Sequence, residues 1–406
     1  MARHDLTSTQ CVHAGTGPCD VRHAMTTAMV HSAPFTFEST QEVLDFVEGR
    51  SDRTQPEYGR MGNPTISRVE QRLAALEGAE RAQLFGSGMA AVTTLMLACL
   101  RSDEHLVLTS DCYKRTRDFG AGFLARFGIR ASVVGPTVEA VAEAVRPETR
   151  LILAEVPSNP YQYVVDVQRL ADLGRQRGVL TAVDSTFATP VNLKPLEWGV
   201  DLVLHSATKY LGGHNDLIAG VLAGRADRVE PVADLLSTLG GICDPTTAFL
   251  LDRGLKTLHV RVAQQNAAGL EVARFLEGHP GIRQVFYPGL VSHPHHEIAA
   301  RLMRGWGGVV TFLVDGGFEE TARFIDRLSI PKIGPSLGGV EALVEQPALM
   351  SFWDLPPDER RRLGMHDNLV RLSLGIEEAD DLIRDLDQAL GASPHASPPR
   401  PDTRPA

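Results

Sequence analysis

Apolar residues in the middle of the chain fall into short continuous runs, separated by stretches with helical spacing. The runs are HLVLTS (105–110), RLILAEV (150–156), LTAVDST (180–186), DLVLHS (201–206) and IAGVLAG (218–224). A strand of a parallel sheet has this character when helices cover both of its faces, because neither face needs polar residues for solvent. The pattern therefore predicts a mainly parallel sheet that is buried between helices.

The stretches between these runs have the period of amphipathic helices. In ISRVEQRLAALEGAE, the apolar residues that share one face are Ile66, Val69, Leu73 and Leu76. Gly78 follows them and can end the helix in a left-handed conformation. Strands that alternate with helices predict a doubly wound α/β domain over residues 61–255.

The pattern changes beyond Lys256. A long helical stretch, HVRVAQQNAAGLEVARFLEGHPGI, precedes the apolar run GVVTFLVDG and another helix, which predicts a smaller α+β domain over residues 256–391. Residues 392–406 are rich in proline and nearly free of large apolar side chains, so we expect a disordered tail there.

Composition and charge argue against several classes of protein. The chain has 406 residues, 43% of them hydrophobic, which is enough for a large buried core. Its net charge of -10 disfavours non-specific binding to nucleic acid, whose phosphates select basic surfaces. No stretch has the length of a membrane span, and MARHDLTSTQCVHAG lacks the apolar segment of a targeting signal. We therefore expect a cytoplasmic protein that binds small molecules and neither nucleic acid nor membranes.

Cysteine and histidine spacing does not predict a metal site. The five cysteines are widely spread and form no CxxC pair, so we expect neither a disulfide framework nor a zinc knuckle. The histidines of SHPHHE are His293, His295 and His296. We interpret them as part of a surface turn at a helix start, because a metal site needs converging geometry as well as several ligands.

Charged side chains follow two of the apolar runs. Lys209 lies in HSATKYLGGHND (205–216), which follows the run VDLVL, and Asp184 ends the run LTAVD. Ligands bind at strand ends in open α/β sheets. A partly desolvated lysine has a lowered pKa and becomes a usable nucleophile or base, and a carboxylate there needs a cation such as a protonated pyridine nitrogen. From these residues alone, a structural ion pair or solvated loops are equally open alternatives.

A turn of small residues suggests a place for an anion. FGSGMAA (85–91) leads into the apolar helix AAVTTLMLACL, and the free N–H groups of a helix N-terminus suit a phosphate. Ser206 and Thr208 can add hydroxyl donors. A plain tight turn is the alternative for this motif.

Together these motifs resemble those of the Cys/Met-metabolism pyridoxal-phosphate enzymes, a family that includes cystathionine γ-synthases, cystathionine γ-lyases and methionine γ-lyases. HSATKYLGGHND resembles the family's cofactor-lysine signature. Further matching stretches are YGRMGNPT (58–65), SGMAA (87–91), DCY (111–113), PSNP (157–160), VDSTFATP (183–190), SLGGVE (336–341) and NLVRLSLGIE (368–377). The resemblance is strongest to plant-type cystathionine γ-synthases, and it implies the aspartate aminotransferase-like fold of fold type I enzymes.

By matching position, the resemblance implies the roles of residues around the cofactor. Lys209 would hold pyridoxal 5'-phosphate (PLP) covalently and shuttle protons, while Asp184 would pair with the pyridine nitrogen and keep the ring an electron sink. Tyr113 would stack on the ring and help to deprotonate the substrate amine. The groups that would hold the phosphate are the backbone N–H groups of Gly88 and Met89 and the hydroxyls of Ser206 and Thr208.

The resemblance also implies an assembly. Tyr58 and Arg60 would reach the phosphate from a neighbouring subunit, so residues 1–60 would form a segment that contacts this neighbour. The expected assembly is a homotetramer, built as a dimer of dimers with shared active sites.

Substrate recognition is implied at one more cluster. Arg371, with Ser336 and Asn159, would bind the substrate carboxylate and the cofactor edge, since an arginine fork suits a carboxylate. We add the hypothesis that Arg115, in the basic run after Tyr113, helps to hold an anionic leaving group or a distal carboxylate. A solvated basic loop is the alternative.

The reaction implied by the resemblance is γ-replacement, in which cysteine and an O-substituted homoserine give cystathionine. γ-Elimination is the alternative within the family. Departures from the family pattern, such as Tyr161 and Tyr163 in PSNPYQYVVD, also leave open an unusual γ-substituted or γ-halogenated substrate. A catalytically silent assembly protein is the alternative of another class. Against it stand the retained residues Lys209, Asp184, Tyr113 and Arg371.

Overall fold

A computed structural model describes residues 6–15, 24–51, 53, 56–362 and 364–391. The chain divides into two compact units, which we call the large unit (Met1–Val156 with Val165–His259) and the small unit (Pro157–Val164 with Val260–Ala406). The segment Pro157–Val164 thus belongs to the small unit, although its position within residues 61–255 placed it in the predicted α/β domain. The predicted tail at 392–406 lies outside the described residues.

The large unit is built on a seven-stranded sheet. Its strands are β1 (Arg81–Phe85), β2 (His105–Thr109), β3 (Arg130–Val134), β4 (Thr149–Glu155), β5 (Leu180–Asp184), β6 (Leu202–Ser206) and β7 (Gly220–Gly224). Their order across the sheet is β1-β7-β6-β5-β4-β2-β3. Strands β6, β5, β4, β2 and β3 run parallel, and β7 is antiparallel to both β1 and β6. The predicted mainly parallel sheet is confirmed.

Helices surround this sheet. They are α1 (Ser8–His13), α2 (Thr40–Val47), α3 (Pro64–Glu77), α4 (Gly88–Cys99), α5 (Lys114–Arg117), α6 (Val138–Ala144), α7 (Val167–Arg177), α8 (Thr189–Asn192), α9 (Ala226–Leu239) and α10 (Pro245–Leu255). A π-helical turn (Asp118–Phe123) and 3₁₀ turns (Leu124–Phe127 and Pro195–Trp198) complete them.

Both faces of the sheet are covered. Ala182 of β5 belongs to the hydrophobic cluster that includes Leu95 of α4 and Val232 of α9. The preceding residue, Thr181, points to the opposite face. There it packs so closely on α7 that a Cβ at Gly174 would lie 2.4 Å from its methyl group. The doubly wound arrangement is therefore confirmed.

The ends of α3 follow from its sequence. The Asn63 side chain caps the helix by accepting a hydrogen bond from Thr65 N–H (2.9 Å), and Pro64 occupies the first turn, where its missing N–H costs nothing. Gly78 ends the helix with φ of 71°, in the left-handed conformation that glycine tolerates. The predicted apolar face is buried, and its members are Ile66, Val69, Leu73 and Leu76.

The small unit contains a five-stranded sheet with helices. Its strands are β8 (Ile282–Phe286), β9 (Val309–Val314), β10 (Lys332–Ile333), β11 (Leu343–Glu345) and β12 (Leu369–Ser373), in the order β10-β11-β12-β9-β8. Its helices are α11 (Leu258–Gly278), α12 (His296–Leu302), α13 (Phe318–Asp326), α14 (Pro347–Met350), α15 (Pro357–Arg362) and α16 (Ala379–Gly391). All strand pairs are antiparallel except β10 with β11. Leu276, Phe312 and Leu386 share its core.

The length and polarity of the helices decide whether any of them could cross a membrane. Across the described part of the chain, every helix is too short or too polar to cross a bilayer.

Candidate active site

Polar residues end three neighbouring strands of the large unit. Glu155 at the end of β4 is the Cα partner of Asp184 at the end of β5, and Asp184 is in turn the partner of Leu204 in β6. Strand β6 ends two residues later at Ser206. Helices and loops diverge at this edge of an open α/β sheet, which is where such sheets bind ligands.

Asp184 is bound to a residue of its own turn. Its Oδ1 accepts hydrogen bonds from the Thr186 N–H (3.0 Å) and the Thr186 hydroxyl (2.5 Å). Desolvation raises the pKa of Asp184 above its usual range, and the hydrogen bonds from Thr186 lower it. A cation beside this carboxylate would favour its ionised form, because a buried charge without a partner is costly.

Thr186 connects this carboxylate to the next strand. Its Oγ1, which donates to Asp184, also accepts a hydrogen bond from Ser206 N–H at 2.8 Å. Thr186 lies within the stretch VDSTFATP and is not among the residues whose roles the resemblance implies. A hydroxyl two residues after a strand-end aspartate is the signal that identifies it, because such a side chain can close a local turn onto the carboxylate.

The N-terminus of α4 lies against Ser206. The Ser87 hydroxyl caps the helix by accepting from Ala90 N–H at 3.0 Å. A Cβ on Gly88 would lie 2.8 Å from the Ser206 Cβ, and a Cβ on Gly220 would lie 2.2 Å from the Ser87 carbonyl oxygen. Glycine at both positions therefore allows the backbone N–H groups at the start of α4 to approach Ser206. This combination of a helix N-terminus and a hydroxyl suits an anion.

The turn after β6 holds Thr208 and Lys209. The Thr208 hydroxyl accepts from Ala219 N–H (3.1 Å) and donates to the Ala219 carbonyl oxygen (3.3 Å). Lys209 N–H donates to the Ser206 carbonyl oxygen (3.1 Å), and its own carbonyl oxygen accepts from Gly213 N–H (2.8 Å). The Lys209 side chain is partly buried. The fold thus places a lysine within a few residues of the strand-end row.

Tyr113 follows β2 and lies at the same edge of the sheet. It precedes α5, and its side chain is 47% exposed. Its backbone N–H donates a hydrogen bond to Oε2 of the buried Glu155 at 2.7 Å. The structure therefore connects Tyr113 to the end of β4, beside Asp184. Glu155 lies within the apolar run RLILAEV and is a polar member of this edge that the sequence pattern does not identify.

Tyr58 and Arg60 lie at the surface of the large unit. Both are exposed, and the Arg60 guanidinium lies 5.5 Å from the centre of the Tyr58 ring. Arg60 also donates to the Ser237 carbonyl oxygen of its own chain. Their predicted contact with a neighbouring subunit stays a prediction.

The basic run after Tyr113 forms α5. Lys114 pairs with Asp118 (3.2 Å), and Arg115 is exposed. The hypothesis that Arg115 holds an anionic group of the substrate stays a prediction.

The small unit brings together Arg371, Asn159 and Ser336. Arg371 is 6% exposed, and its guanidinium donates to Asn159 Oδ1 (3.0 Å) and to the Ser336 carbonyl oxygen (3.1 Å). It also forms a 3.1 Å ion pair with buried Glu345, its Cα partner on β11. Within the described residues, the buried Nε–H of Arg371 has no acceptor. A donor left in this state marks a place where a ligand carboxylate can bind.

Ser336 has an unusual backbone. Its φ of 101° lies in a region that costs a non-glycine residue about 1–3 kcal/mol. The loop that follows is held by the buried Gln265, which donates to the Gly339 carbonyl oxygen at 2.9 Å, and by Ser373, whose hydroxyl accepts from Gly338 N–H at 3.1 Å. These bonds hold the Ser336 carbonyl in reach of Arg371.

The histidines of SHPHHE form a turn, but the expectation that they lie at the surface is wrong for His293, which is 3% exposed. His293 Nδ1 accepts from His295 N–H (3.2 Å), while its Nε2 contacts the Tyr161 carbonyl oxygen (3.3 Å). Burial lowers the pKa of His293 to about 4. Among the residues that the structure describes, no group of three or more His, Cys, Asp or Glu side chains is arranged to hold a metal.

The tyrosines that depart from the family pattern pack around these histidines. The ring of Tyr163 lies 5.2 Å from that of His295 and 5.9 Å from that of His293. Tyr161 packs edge-on against Phe286 at 4.8 Å. Packing within the small unit is therefore sufficient to explain why tyrosine stands at both positions.

Comparisons with known proteins agree with these observations. The family model for Cys/Met metabolism PLP-dependent enzymes matches residues 8–391. Cystathionine gamma-synthase 1, chloroplastic, of Arabidopsis thaliana is 47% identical over 385 residues, which are 94% of this chain and 68% of that protein. The cystathionine gamma-lyase of Dictyostelium discoideum is 37% identical over 94% of this chain and 97% of its own length. The crystal structure of metB from Corynebacterium glutamicum has a TM-score of 0.88 and 36% identity, and the match covers 95% of this chain and 97% of that one.

Proposed function

Because the chain belongs to the family of Cys/Met metabolism PLP-dependent enzymes, we propose that it catalyses γ-replacement at an activated homoserine. The cysteine sulfur would form a bond to Cγ of an O-substituted homoserine. The Cγ–O bond would break, the γ-oxygen would leave with its substituent, and cystathionine would result. The observation that carries the proposal is the row of Asp184, Thr186 and Ser206 at the sheet edge, with Lys209 in the turn that follows. The 47% identity to a plant cystathionine gamma-synthase supports this reaction within the family.

The residues at this edge fit PLP. The cradle of Gly88 and Ser206 at the N-terminus of α4 suits the phosphate, and the desolvated Asp184 carboxylate suits a protonated ring nitrogen. Lys209 would hold the cofactor covalently, and Tyr113 would cover its ring. When bound, PLP supplies the electron sink that allows protons to leave the α and β carbons of an amino acid.

The chain's own residues would then divide the remaining work. Lys209 Nζ would take the Cα proton and later return a proton to the substrate, a role that positioned general bases fill in many enzymes. Tyr113 would help to deprotonate the substrate amine through its phenolic oxygen. Arg371 would bind the substrate carboxylate through its free Nε–H, with Asn159 and Ser336 fixing the guanidinium plane.

γ-Elimination is the second candidate. The identity of 37% to a cystathionine gamma-lyase favours it less than the synthase but keeps it within the same chemistry. In elimination, water rather than cysteine would end the reaction, and the products would be a 2-oxo acid and ammonia. If the substrate were an unusual γ-halogenated amino acid, the reaction would still be either γ-replacement or γ-elimination.

A substrate panel separates these reactions. The purified protein is incubated with O-phospho-, O-acetyl- and O-succinylhomoserine, cystathionine and a γ-halogenated amino acid, each with and without cysteine. We expect cystathionine from one O-substituted homoserine when cysteine is present, and little 2-oxo acid. Release of 2-oxo acid at the same rate with and without cysteine would replace γ-replacement by γ-elimination.

A matched variant controls for the cofactor lysine. Lys209→Ala should lower the rate of product formation by about 10²–10⁴-fold, because it removes a positioned general base. If Lys209→Ala and the unmodified chain are equally inactive on the whole panel, a catalytically silent assembly protein becomes the better proposal.

We further propose a cytoplasmic homotetramer, a dimer of dimers in which Tyr58 and Arg60 complete the active site of a neighbour. The exposure of both side chains supports this contact, and the thiols of Cys99, Cys112 and Cys243, which are not joined in disulfides, fit a reducing compartment.

Mixing two inactive variants tests the shared site. Lys209→Ala and Arg60→Ala subunits are unfolded and refolded together. If the sites are shared, roughly a quarter of the sites recover both residues, since half of the dimers are mixed and one site of each is complete. No recovery in mixed dimers, detected by two different affinity tags, would contradict the shared site.

A further inference from the structure

Glu155 is a buried carboxylate that the proposed mechanism leaves unused. It is the last residue of β4, and it is 5% exposed. Removing a carboxylate from water is costly unless donors satisfy it. The side chain therefore needs a partner at the sheet edge.

The backbone of Tyr113 is one partner of Glu155. Oε2 of Glu155 accepts the Tyr113 N–H at 2.7 Å, a length typical of a hydrogen bond to an ionised acceptor. Tyr113 is 47% exposed, so packing alone holds its ring weakly. The hydrogen bond that Glu155 accepts holds the Tyr113 backbone, from which this ring extends. It therefore limits where the ring can lie.

The pairing of β4 with β5 places Glu155 next to Asp184. Glu155 and Asp184 are Cα partners on β4 and β5, so the contact with Tyr113 starts directly beside Asp184. In the proposed function, Asp184 holds the edge of the PLP ring and Tyr113 covers its face. Two adjacent strand ends would then fix two sides of one ring.

We propose that Glu155 is a positioning residue, which holds Tyr113 in place to cover the PLP ring. The inference rests on the proposed role of Tyr113, and it assigns Glu155 no contact with substrate or cofactor. It leads to different expectations for two variants. Glu155→Gln keeps an acceptor of the same shape, whereas Glu155→Ala removes the acceptor and frees the Tyr113 backbone.

The first measurement needs no cofactor. Amide hydrogen exchange is followed by mass spectrometry in a peptide that covers residues 111–117 of the full-length apo-protein. Glu155→Ala should raise the exchange rate of the Tyr113 amide by about 10-fold or more, and Glu155→Gln by less, because a hydrogen bond to a charged acceptor is the stronger one. Unchanged exchange in Glu155→Ala would overturn the proposal.

The second measurement is the dissociation constant for PLP, titrated into the same apo-proteins. Glu155→Ala should weaken binding by about 10-fold, and Glu155→Gln should restore most of this loss. Glu70 provides a matched control, because its Oε1 accepts Leu84 N–H at 2.9 Å in the same unit. Glu70→Ala removes a comparable bond, and it should leave the dissociation constant within about threefold of the unmodified chain.

A double-variant cycle separates the inference from the function on which it rests. In a Tyr113→Ala background, Glu155→Ala should no longer change PLP affinity, because the ring that it positions is absent. A persisting loss in that background would overturn the positioning role and leave the role of Tyr113 intact. If Tyr113→Ala alone keeps full PLP affinity, the proposed role of Tyr113 fails, and the positioning of Tyr113 toward PLP fails with it.

Discussion

At the scale of single residues, hydrogen bonds join the ends of neighbouring strands. Thr186 is the clearest case, since one hydroxyl donates to Asp184 and accepts from Ser206 N–H. It connects the carboxylate proposed for the ring nitrogen to the backbone of Ser206, whose hydroxyl is proposed for the phosphate. A change at this one oxygen is therefore expected to alter both ends of the site.

Thr186→Val removes that hydroxyl and keeps the shape of the side chain. The hydrogen bond lowers the pKa of Asp184, so its loss raises this pKa further and the carboxylate protonates at a higher pH. PLP affinity, measured by titration, should fall by about 10-fold, and its decline on acidification should begin at a higher pH. Thr181→Val is the control, because Thr181 lies in the strand that ends at Asp184 and its hydroxyl donates to Asp201 at 2.7 Å. An equal effect of Thr181→Val would contradict the local explanation.

Arg371→Lys tests the carboxylate site. Lysine keeps the positive charge but loses the planar fork that contacts Asn159 and Ser336 together. The KM of the amino-acid substrate should rise by about 10- to 100-fold, with a smaller change in kcat. Arg360→Lys is matched, since Arg360 is buried in the same unit and binds Asp367 at 2.8 Å. A similar KM in Arg371→Lys and the unmodified chain would argue against this role.

At the scale of elements, the start of α4 depends on how closely β7 approaches it. Gly220 of β7 lies so near Ser87 that any Cβ would overlap the Ser87 carbonyl oxygen. The strand and the helix N-terminus can meet only because this residue has no side chain. The anion site at the N-terminus of α4 thus depends on the packing of two elements, and this packing requires glycine at position 220.

Gly220→Ala should force β7 and the start of α4 apart. The free energy of unfolding, from urea denaturation, should fall by about 1–3 kcal/mol, and PLP affinity should fall with it. Gly135→Ala is the control, because a Cβ at Gly135 would have no neighbour within 4 Å. If Gly220→Ala binds PLP as tightly as Gly135→Ala does, close approach of the two elements is not needed for the cradle.

At the scale of the whole molecule, the two units carry buried groups with opposite responses to pH. In the large unit, burial raises the pKa of Glu70 from 4.5 to about 7. In the small unit, burial lowers the pKa of His293 from 6.5 to about 4, and the nearby His295 and His296 also lower it. A pKa difference between the folded and unfolded states makes stability depend on pH.

The signs follow from proton uptake. Unfolded His293 gains a proton below pH 6.5 and folded His293 only below about 4, so the small unit should lose stability as the pH falls through this window. Folded Glu70 keeps its proton up to about pH 7 and unfolded Glu70 only up to 4.5, so the large unit should lose stability as the pH rises from 4.5 to 7. Across its pH window, each group should change the free energy of unfolding by roughly 3 kcal/mol.

Hydrogen exchange of peptides from each unit, measured across these pH windows and corrected for intrinsic rates, checks this prediction. His293→Gln should flatten the response of the small unit alone, and Glu70→Gln that of the large unit alone. Responses that stay unchanged in both variants would assign the pH dependence to other groups.

The sequence determined the interior of the fold. Continuous apolar runs predicted β2, β4, β5, β6 and β7, because strands covered on both faces have no solvent side. Strands β1 and β3 gave no such run, and they lie at the two edges of the sheet, where burial is incomplete. The exposed edge of a sheet depends on strand order, which a local pattern does not contain.

The residues of the candidate site divide in the same way. The sequence alone marked Lys209 and Asp184, because a charge at the end of an apolar run is costly and local. Only the tertiary structure paired Glu155 with Tyr113, 42 positions apart, and Glu345 with Arg371. Such contacts depend on which strands become neighbours and in what register, and many distant residues set this jointly. The sequence thus determined which groups can do chemistry, and packing decided which of them meet.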